Sequence, residues 1–270
     1  MSRVPLFPES PRPLTFAHRG YSARAPENTM PAFRVAAEAG VPGIELDVRL
    51  SRDGVPVVIH DPDLLRLAGS DATVAELTAA QLAEADVGSW LSREFAGTGI
   101  PTLAEVFDTF GERFYYDIEI KHRSGDPNPL IHAVLHCVAE RSLEGCVLVS
   151  SFHPKVVALV RGATRAFPVA LIFSAHKDVP RTLRRGQGRF FARPDVLKPY
   201  WGELLRPTAR TLGRLDSRPR LVWTVDGEEA VKAIRGKQVE GIISNDPNAA
   251  LSALRADVRP DRQRASDRDS

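Results

Sequence analysis

The chain has 270 residues, 43% of them hydrophobic and 26% charged, which describes an ordinary globular protein with apolar residues enough for a sizeable core. Its formal net charge is only +2 and no single-sign block is long, which excludes a nucleic-acid track. Two cysteines, Cys137 and Cys146, are too few for a disulfide framework or a Cys-based zinc site, and no segment approaches the roughly 18 apolar residues of a membrane span.

The N-terminal stretch MSRVPLFPESPRPL is broken by four prolines and has no apolar run of the roughly 7–15 residues that a secretory signal requires, which points to the cytoplasm. Nine short runs of strand composition follow: LTFAHRG, GIELDVRL, VPVVIHD, FYYDIEIK, CVLVSSF, FPVALIF, DVLKPYW, RLVWTVD and GIISND. Most are separated by segments of helical period, which predicts repeated strand–helix units. The first helix is expected after PENT, with Pro31 near its start, Phe33, Val35, Ala36 and Ala39 forming its stripe, and Gly40 at its end. Only SRDG separates the second run from the third, whereas a parallel crossover needs about a dozen residues or more. VPVVIHD is therefore expected to fold back antiparallel at Asp53-Gly54. Eight parallel strands remain, and the expected fold class is α/β, a (β/α)8 TIM barrel with a β-hairpin after strand 2. A doubly wound open sheet is the rival, but no GxGxxG follows the first strand.

Residues 62–100 break the alternation and read as a small insertion capping the barrel mouth. Just beyond it, Thr102 and Glu105 have the spacing of a capping box. The arginine-rich stretch RTLRRGQGRFFARPD reads as a solvated helix face with a buried phenylalanine pair, in preference to a membrane or nucleic-acid site. DGEEAVKAIRGK predicts a late helix. Residues 1–255 are expected to form a single catalytic domain, and residues 256–270, poor in apolar side chains, a disordered tail.

Strand geometry sends residues i and i+2 to one face. Glu45 and Asp47 therefore share a face opposite Ile44, Leu46 and Val48, and Asp117, Glu119 and Lys121 share one opposite Tyr116, Ile118 and Ile120. The aliphatic faces should meet helices, which leaves the acids pointing into the barrel. Converging carboxylates repel one another and resist burial, so a cation is the economical partner. All-oxygen ligation favours Mg²⁺ or Ca²⁺. His18 and His60 end their strands beside this cluster, with Arg19 and Lys121 adding positive charge for an anion such as a phosphate. A metal, two groups titrating near neutrality and a cationic clamp are the equipment for metal-assisted phosphoester cleavage.

HRG, APENTMPAF, IELDVRLSRDGVPVVIHD, IPTLAEV, YYDIEIK, VSSF, VWTVD and GIISNDP, in that order, closely resemble the glycerophosphodiester phosphodiesterase family, from about Phe16 to Pro247. The resemblance implies a PLC-like phosphodiesterase barrel. It also implies hydrolysis of a small-molecule glycerophosphodiester to sn-glycerol 3-phosphate and an alcohol. Matched motif by motif, His18 and His60 resemble the acid/base pair, and Glu45, Asp47 and Glu119 the ligands of a divalent cation, Mg²⁺ or Ca²⁺. Arg19 and Lys121 match phosphate-contacting positions, and Phe152 and Trp223 aromatics near the glycerol. The chain departs from the family after HDPDLLR, where LAGSDATVAELT replaces a Thr- and Gly-rich stretch, and around DVLKPYW, which matches loosely.

Two other functions fit the same residues: a lysophospholipase D-type activity on single-chain lipids, and a non-catalytic glycerophosphoester binder. Arg19 and Lys121 could also serve as counterions of the acids. His122, His132, His136, His153 and His176 are expected in surface or helix roles, and oligomeric state has no signature. A hairpin returning antiparallel should end near the start of the preceding strand, so a bend or the loop at Asp61 is expected to bring His60 to the mouth.

Overall fold

All nine runs form strands in the computed structural model, which describes residues 7, 13–122, 124–176, 179, 184–205, 216–237 and 239–256. Helix α1 (Met30–Glu38) connects β1 (Leu14–His18) to β2 (Gly43–Leu50), and β3 (Pro56–Val58) follows. The insertion contributes β4 (Asp63–Leu64), α2 (Leu65–Ala68), β5 (Ser70–Thr73) and α3 (Ala79–Ala83). Alternation then resumes with α4 (Leu103–Phe110), β6 (Tyr115–Ile120), α5 (Asn128–Ala139), β7 (Val147–Ser151), α6 (Pro154–Ala163) and β8 (Val169–Phe173). The last elements are α7 (Arg189–Ala192), β9 (Val196–Pro199), β10 (Leu221–Val222), α8 (Gly227–Ile234), β11 (Gly241–Ser244) and α9 (Pro247–Ala256).

Eight strands pair in parallel in the order β10-β11-β1-β2-β6-β7-β8-β9. Single parallel bridges, Leu197 with Arg220 and Tyr200 with Trp223, join β9 back to β10 and complete the eight-stranded TIM barrel. Outside this path β3 lies antiparallel on β2, Val57 opposite Arg49, after a turn at Gly54 with φ +79°.

Alternation divides the apolar residues into two populations. Ile44, Leu46, Val48, Ile118 and Ile120 face outward and join Phe33, Val106, Phe107 and Val134 of the helices in the largest core cluster. Inward-facing Leu14, Phe16, Leu148, Ala170, Val196, Leu221 and Ile243 fill the lower barrel, where the Phe7 ring stacks on Tyr115 at 4.1 Å between centroids. Each large side chain in this plug contributes roughly 1.5–3 kcal/mol by leaving water. With the bottom sealed by hydrocarbon, the upper inward positions are free to be polar.

The helix signals operate as expected. Thr29 caps α1 with Pro31 in the first turn, and Thr102 and Glu105 form a reciprocal capping box on α4. The insertion packs its own small core, Leu64, Leu67, Val74, Leu82 and Val87, against Val57 and Ile59 of the hairpin segment.

The phenylalanine pair departs from expectation: Phe190 is 73% and Phe191 69% exposed. Helix α7 has only four residues and one buried side, which Arg189 and Ala192, three apart, already occupy. The last helix runs through Ala256, one residue past the boundary read from composition. Residues 257–270, the rest of the expected tail, lie outside the described residues. Among the described residues no helix is long and apolar enough to cross a membrane.

Candidate active site

Register between β2 and β6 places Glu45 beside Asp117 and Asp47 beside Glu119, so the inward acids of two strands form two stacked rows. From this stack, Glu45, Asp47 and Glu119 each offer one carboxylate oxygen, and the three oxygens lie within 4.8 Å of one another. All three residues are buried, at 2%, 1% and 6% exposure. Bonds of roughly 2.0–2.6 Å from a shared centre span such a triangle, so the donor set fits a hard divalent cation.

Asp117 is the register partner of Glu45. It accepts a hydrogen bond from Ser150 Oγ at 2.7 Å and pairs with Lys198 Nζ at 2.8 Å, with no solvent exposure of its own. Lys198, from β9, also lies 3.4 Å from Glu45 Oε1 and 3.2 Å from Ser150 Oγ. Thus four buried carboxylates face three cations, Arg19, Lys121 and Lys198, and one negative charge is left over.

Burial raises the Glu45 carboxyl to about 7 despite Lys198, and Asp47 and Asp117 add to the rise. Burial also raises Glu119, against the attraction of Lys121. Asp47 goes the other way: burial opposes ionisation, but Lys121 and Arg19 hold it well below the usual carboxylate range. Asn28 contributes too, donating to Asp47 Oδ2 at 2.8 Å and accepting from the Asp47 amide at 3.3 Å. One ionised and two reluctant acids in a shared pocket are what a divalent cation would relieve.

His18 closes β1 beside the triad, its Nε2 3.9 Å from Glu45 Oε2. Its Nδ1 meets Asn245 Oδ1 at 2.7 Å, while the Asn245 amide donates to Asp226 at 2.6 Å. An acceptor-only carboxylate fixes which way the Asn245 amide points, so His18 carries its proton on Nδ1 and turns an unprotonated Nε2 towards Glu45. Burial, reinforced by Arg19, lowers the His18 pKa from 6.5 to about 4.

His60 stands where the chain bends, over His60, Asp61 and Pro62, as expected. Strand β2 continues three residues past Asp47, so the hairpin rises above the barrel and its descending arm returns only to Asp47, whose carbonyl accepts from the Ile59 amide at 2.9 Å. Arg49 then grips the His60 carbonyl with Nε and Nη2 at 2.9 and 2.7 Å. His60 Nδ1 pairs with Asp61 at 2.7 Å. Burial lowers its pKa and Lys121 lowers it further, with Asp47 and Asp61 resisting.

Arg19 adopts a left-handed conformation, φ +57°, from which its amide reaches Glu45 Oε2 at 3.2 Å. Its guanidinium lies 3.3 Å from Asp47 and 2.8 Å from Glu27. Lys121 bridges Asp47 at 2.9 Å and Glu119 at 2.6 Å. Both cations are therefore counterions of the acids in this structure, and both remain partly exposed, at 19% and 13%. From the insertion, Arg66 binds Glu27 and Asp61 at 2.6 Å each, linking the partners of Arg19 and His60.

Phe152 and Trp223 meet edge to face at 5.6 Å between centroids, with Tyr200 a further 5.6 Å from Trp223. His122 follows β6 and His153 is the N-cap of α6, both partly exposed with their rings 5.3 Å apart, and His176 packs on Tyr200 at 4.3 Å. A loop that follows a barrel strand opens at the mouth, which strand composition alone does not reveal.

The structure thus brings His18, Glu45, Asp47, Glu119, Arg19 and Lys121 into one cluster, with His60 on its rim and Phe152 and Trp223 together on β-strand ends. Sequence reasoning missed Lys198, Asn28, Glu27, Asp61, Arg66, Asn245 and Tyr200. Parity offered a signal for one of them: Lys198 sits two residues from Tyr200 in a run whose other face is aliphatic. The rest depend on contacts between distant segments.

Fold and site together define a class: a parallel barrel whose mouth carries a buried carboxylate triad flanked by two oriented imidazoles. Residues 18–249 match the model of the glycerophosphoryl diester phosphodiesterase family, and the chain belongs to that family. It is 38% identical over 242 residues to a glycerophosphodiester phosphodiesterase of Bacillus altitudinis, covering 87% of this chain and 96% of that one. A second relative of the same name, from Caldanaerobacter subterraneus subsp. tengcongensis, is 30% identical over 243 residues, 90% of this chain and 98% of that one. Among solved structures, an Oleispira antarctica phosphodiesterase in complex with the product sn-glycerol-3-phosphate matches with a TM-score of 0.79 at 25% identity, covering 90% of this chain and 96% of that chain.

Proposed function

We propose that the protein hydrolyses glycerophosphodiesters to sn-glycerol 3-phosphate and an alcohol, with Glu45, Asp47 and Glu119 holding a divalent cation, Mg²⁺ or Ca²⁺. The observation that carries this reading is the convergence of three buried carboxylate oxygens within 4.8 Å, beside His18 and His60. When bound, the cation would act as a Lewis acid towards a phosphate oxygen and so stabilise charge in the transition state.

The chain's own residues divide the remaining work. His18, neutral at physiological pH and hydrogen-bonded through Nδ1 to an uncharged amide, has its Nε2 lone pair free to take a proton from the attacking hydroxyl. His60 has a carboxylate behind Nδ1, which supports the imidazolium form, and suits protonation of the leaving alcohol oxygen. Arg19 and Lys121, at the edge of the acids, supply positive charge for the phosphate. Phe152 and Trp223 offer an apolar wall for the carbon side of glycerol.

The test is a coupled assay for glycerol 3-phosphate release across head groups, with and without EDTA, on the wild type and on His18→Ala and His60→Ala. Each variant is expected to lose on the order of a hundredfold or more in rate, and EDTA to abolish turnover. Near-normal turnover by both variants ends the histidine assignment, and indifference to EDTA ends the metal assignment. Choline release from lysophosphatidylcholine, where the other product is lysophosphatidic acid in place of glycerol 3-phosphate, separates the lysophospholipase D-type activity. Saturable binding of glycerophosphocholine without hydrolysis would identify a binder.

A further inference from the structure

We propose that Lys198 is a positioning residue for the metal site, anchoring one carboxylate oxygen of Glu45 so that only the other is presented to a cation. The inference rests on the reading of Glu45, Asp47 and Glu119 as metal ligands.

The two oxygens of Glu45 have different surroundings. Oε1 lies 3.4 Å from Lys198 Nζ, which also contacts Asp117 and Ser150. Oε2 faces the mouth, taking the Arg19 amide at 3.2 Å with His18 Nε2 3.9 Å away. Left alone, a carboxylate rotates about its last side-chain bond and exchanges its oxygens. An ammonium held against one of them removes that freedom, as outer partners of metal ligands do.

Lys198 is itself locked. It is 2% exposed, pinned by Asp117 at 2.8 Å and Ser150 at 3.2 Å, while its own carbonyl accepts from Trp223 Nε1 at 3.0 Å. Its burial and its engagement with Asp117, Glu45 and Ser150 argue against contact with substrate. Asp117 has the matching role: it neutralises Lys198 and is not one of the three acids whose oxygens converge. Stability alone does not explain this buried pair, because a well-packed apolar pair of similar volume would serve at least as well there.

The pair can be removed without changing net charge, which separates positioning from simple electrostatics. Titration calorimetry with Mg²⁺ and with Ca²⁺ would compare the wild type, Glu119→Gln and the double variant Asp117→Asn/Lys198→Met. The double variant is expected to bind each ion at least about tenfold more weakly, with an unchanged melting temperature in EDTA. Dissociation constants within about twofold of wild type overturn the proposal. Absence of saturable binding to the wild type, or wild-type affinity in Glu119→Gln, overturns the metal reading itself and this inference with it. Should the double variant fail to fold, Lys198→Arg makes the same test by the same thresholds, since it keeps the charge beside Asp117 and replaces a point donor with a wider planar fork.

Discussion

His18 gives the site a measurable signature in stability. Its pKa lies near 4 in the folded protein, lowered chiefly by burial, against 6.5 for the free side chain. Below 6.5 the unfolded chain takes up a proton that the folded protein refuses until about 4, so stability rises with pH across this window and falls on acidification. The slope is about 1.4 kcal/mol per pH unit for one proton, which gives a deficit of roughly 2 kcal/mol at about pH 5. Glu45 acts with the opposite sign. Raised to about 7, it takes up its proton in the folded state before the unfolded chain does, and so adds stability as pH falls towards 4.5. A difference measurement isolates His18: urea unfolding in EDTA of the wild type and His18→Gln, at about pH 7.5 and about pH 5. Glutamine keeps a donor for Asn245 but does not titrate, and the Glu45 contribution is common to both proteins. The wild type should lose about 2 kcal/mol relative to the variant between these two pH values. Parallel pH dependence would refute the reasoning, because it would mean that His18 titrates as freely in the fold as out of it.

Two further outcomes follow from the geometry. Asp61→Asn removes the carboxylate that favours the imidazolium of His60. The turnover rate should fall about tenfold or more, with the alkaline limb of its pH profile moving to lower pH; a profile unmoved in shape contradicts the acid role. Gly20 sits at φ +76°, where an added Cβ would lie 2.7 Å from the Ala32 Cβ and 2.9 Å from its carbonyl carbon. Gly20→Ala should therefore cost roughly 1–3 kcal/mol in denaturant unfolding, and a loss below about 0.5 kcal/mol would show that the loop after β1 yields easily.

Much of this protein is written in local pattern. Alternation in GIELDVRL and FYYDIEIK was enough to put Glu45, Asp47, Glu119 and Lys121 inside the barrel, because the two-residue period of a strand holds whatever its neighbours are. The Asp53-Gly54 turn was equally legible, since four residues cannot cross a parallel sheet. Other features belong only to the assembled chain. Lys198 meets Asp117 and Glu45 across the barrel interior, Asn245 orients His18 from 227 residues away, and Arg66 of the insertion ties Glu27 to Asp61. The height of His60 depended on how far β2 runs past Asp47, and the exposure of Phe190 and Phe191 on the shortness of α7. Sequence by itself determined which faces are apolar and where the chain turns, because these follow from bond geometry within a few residues. Tertiary structure alone decided which distant charges meet, because only closure of the barrel sets strands far apart in the chain side by side.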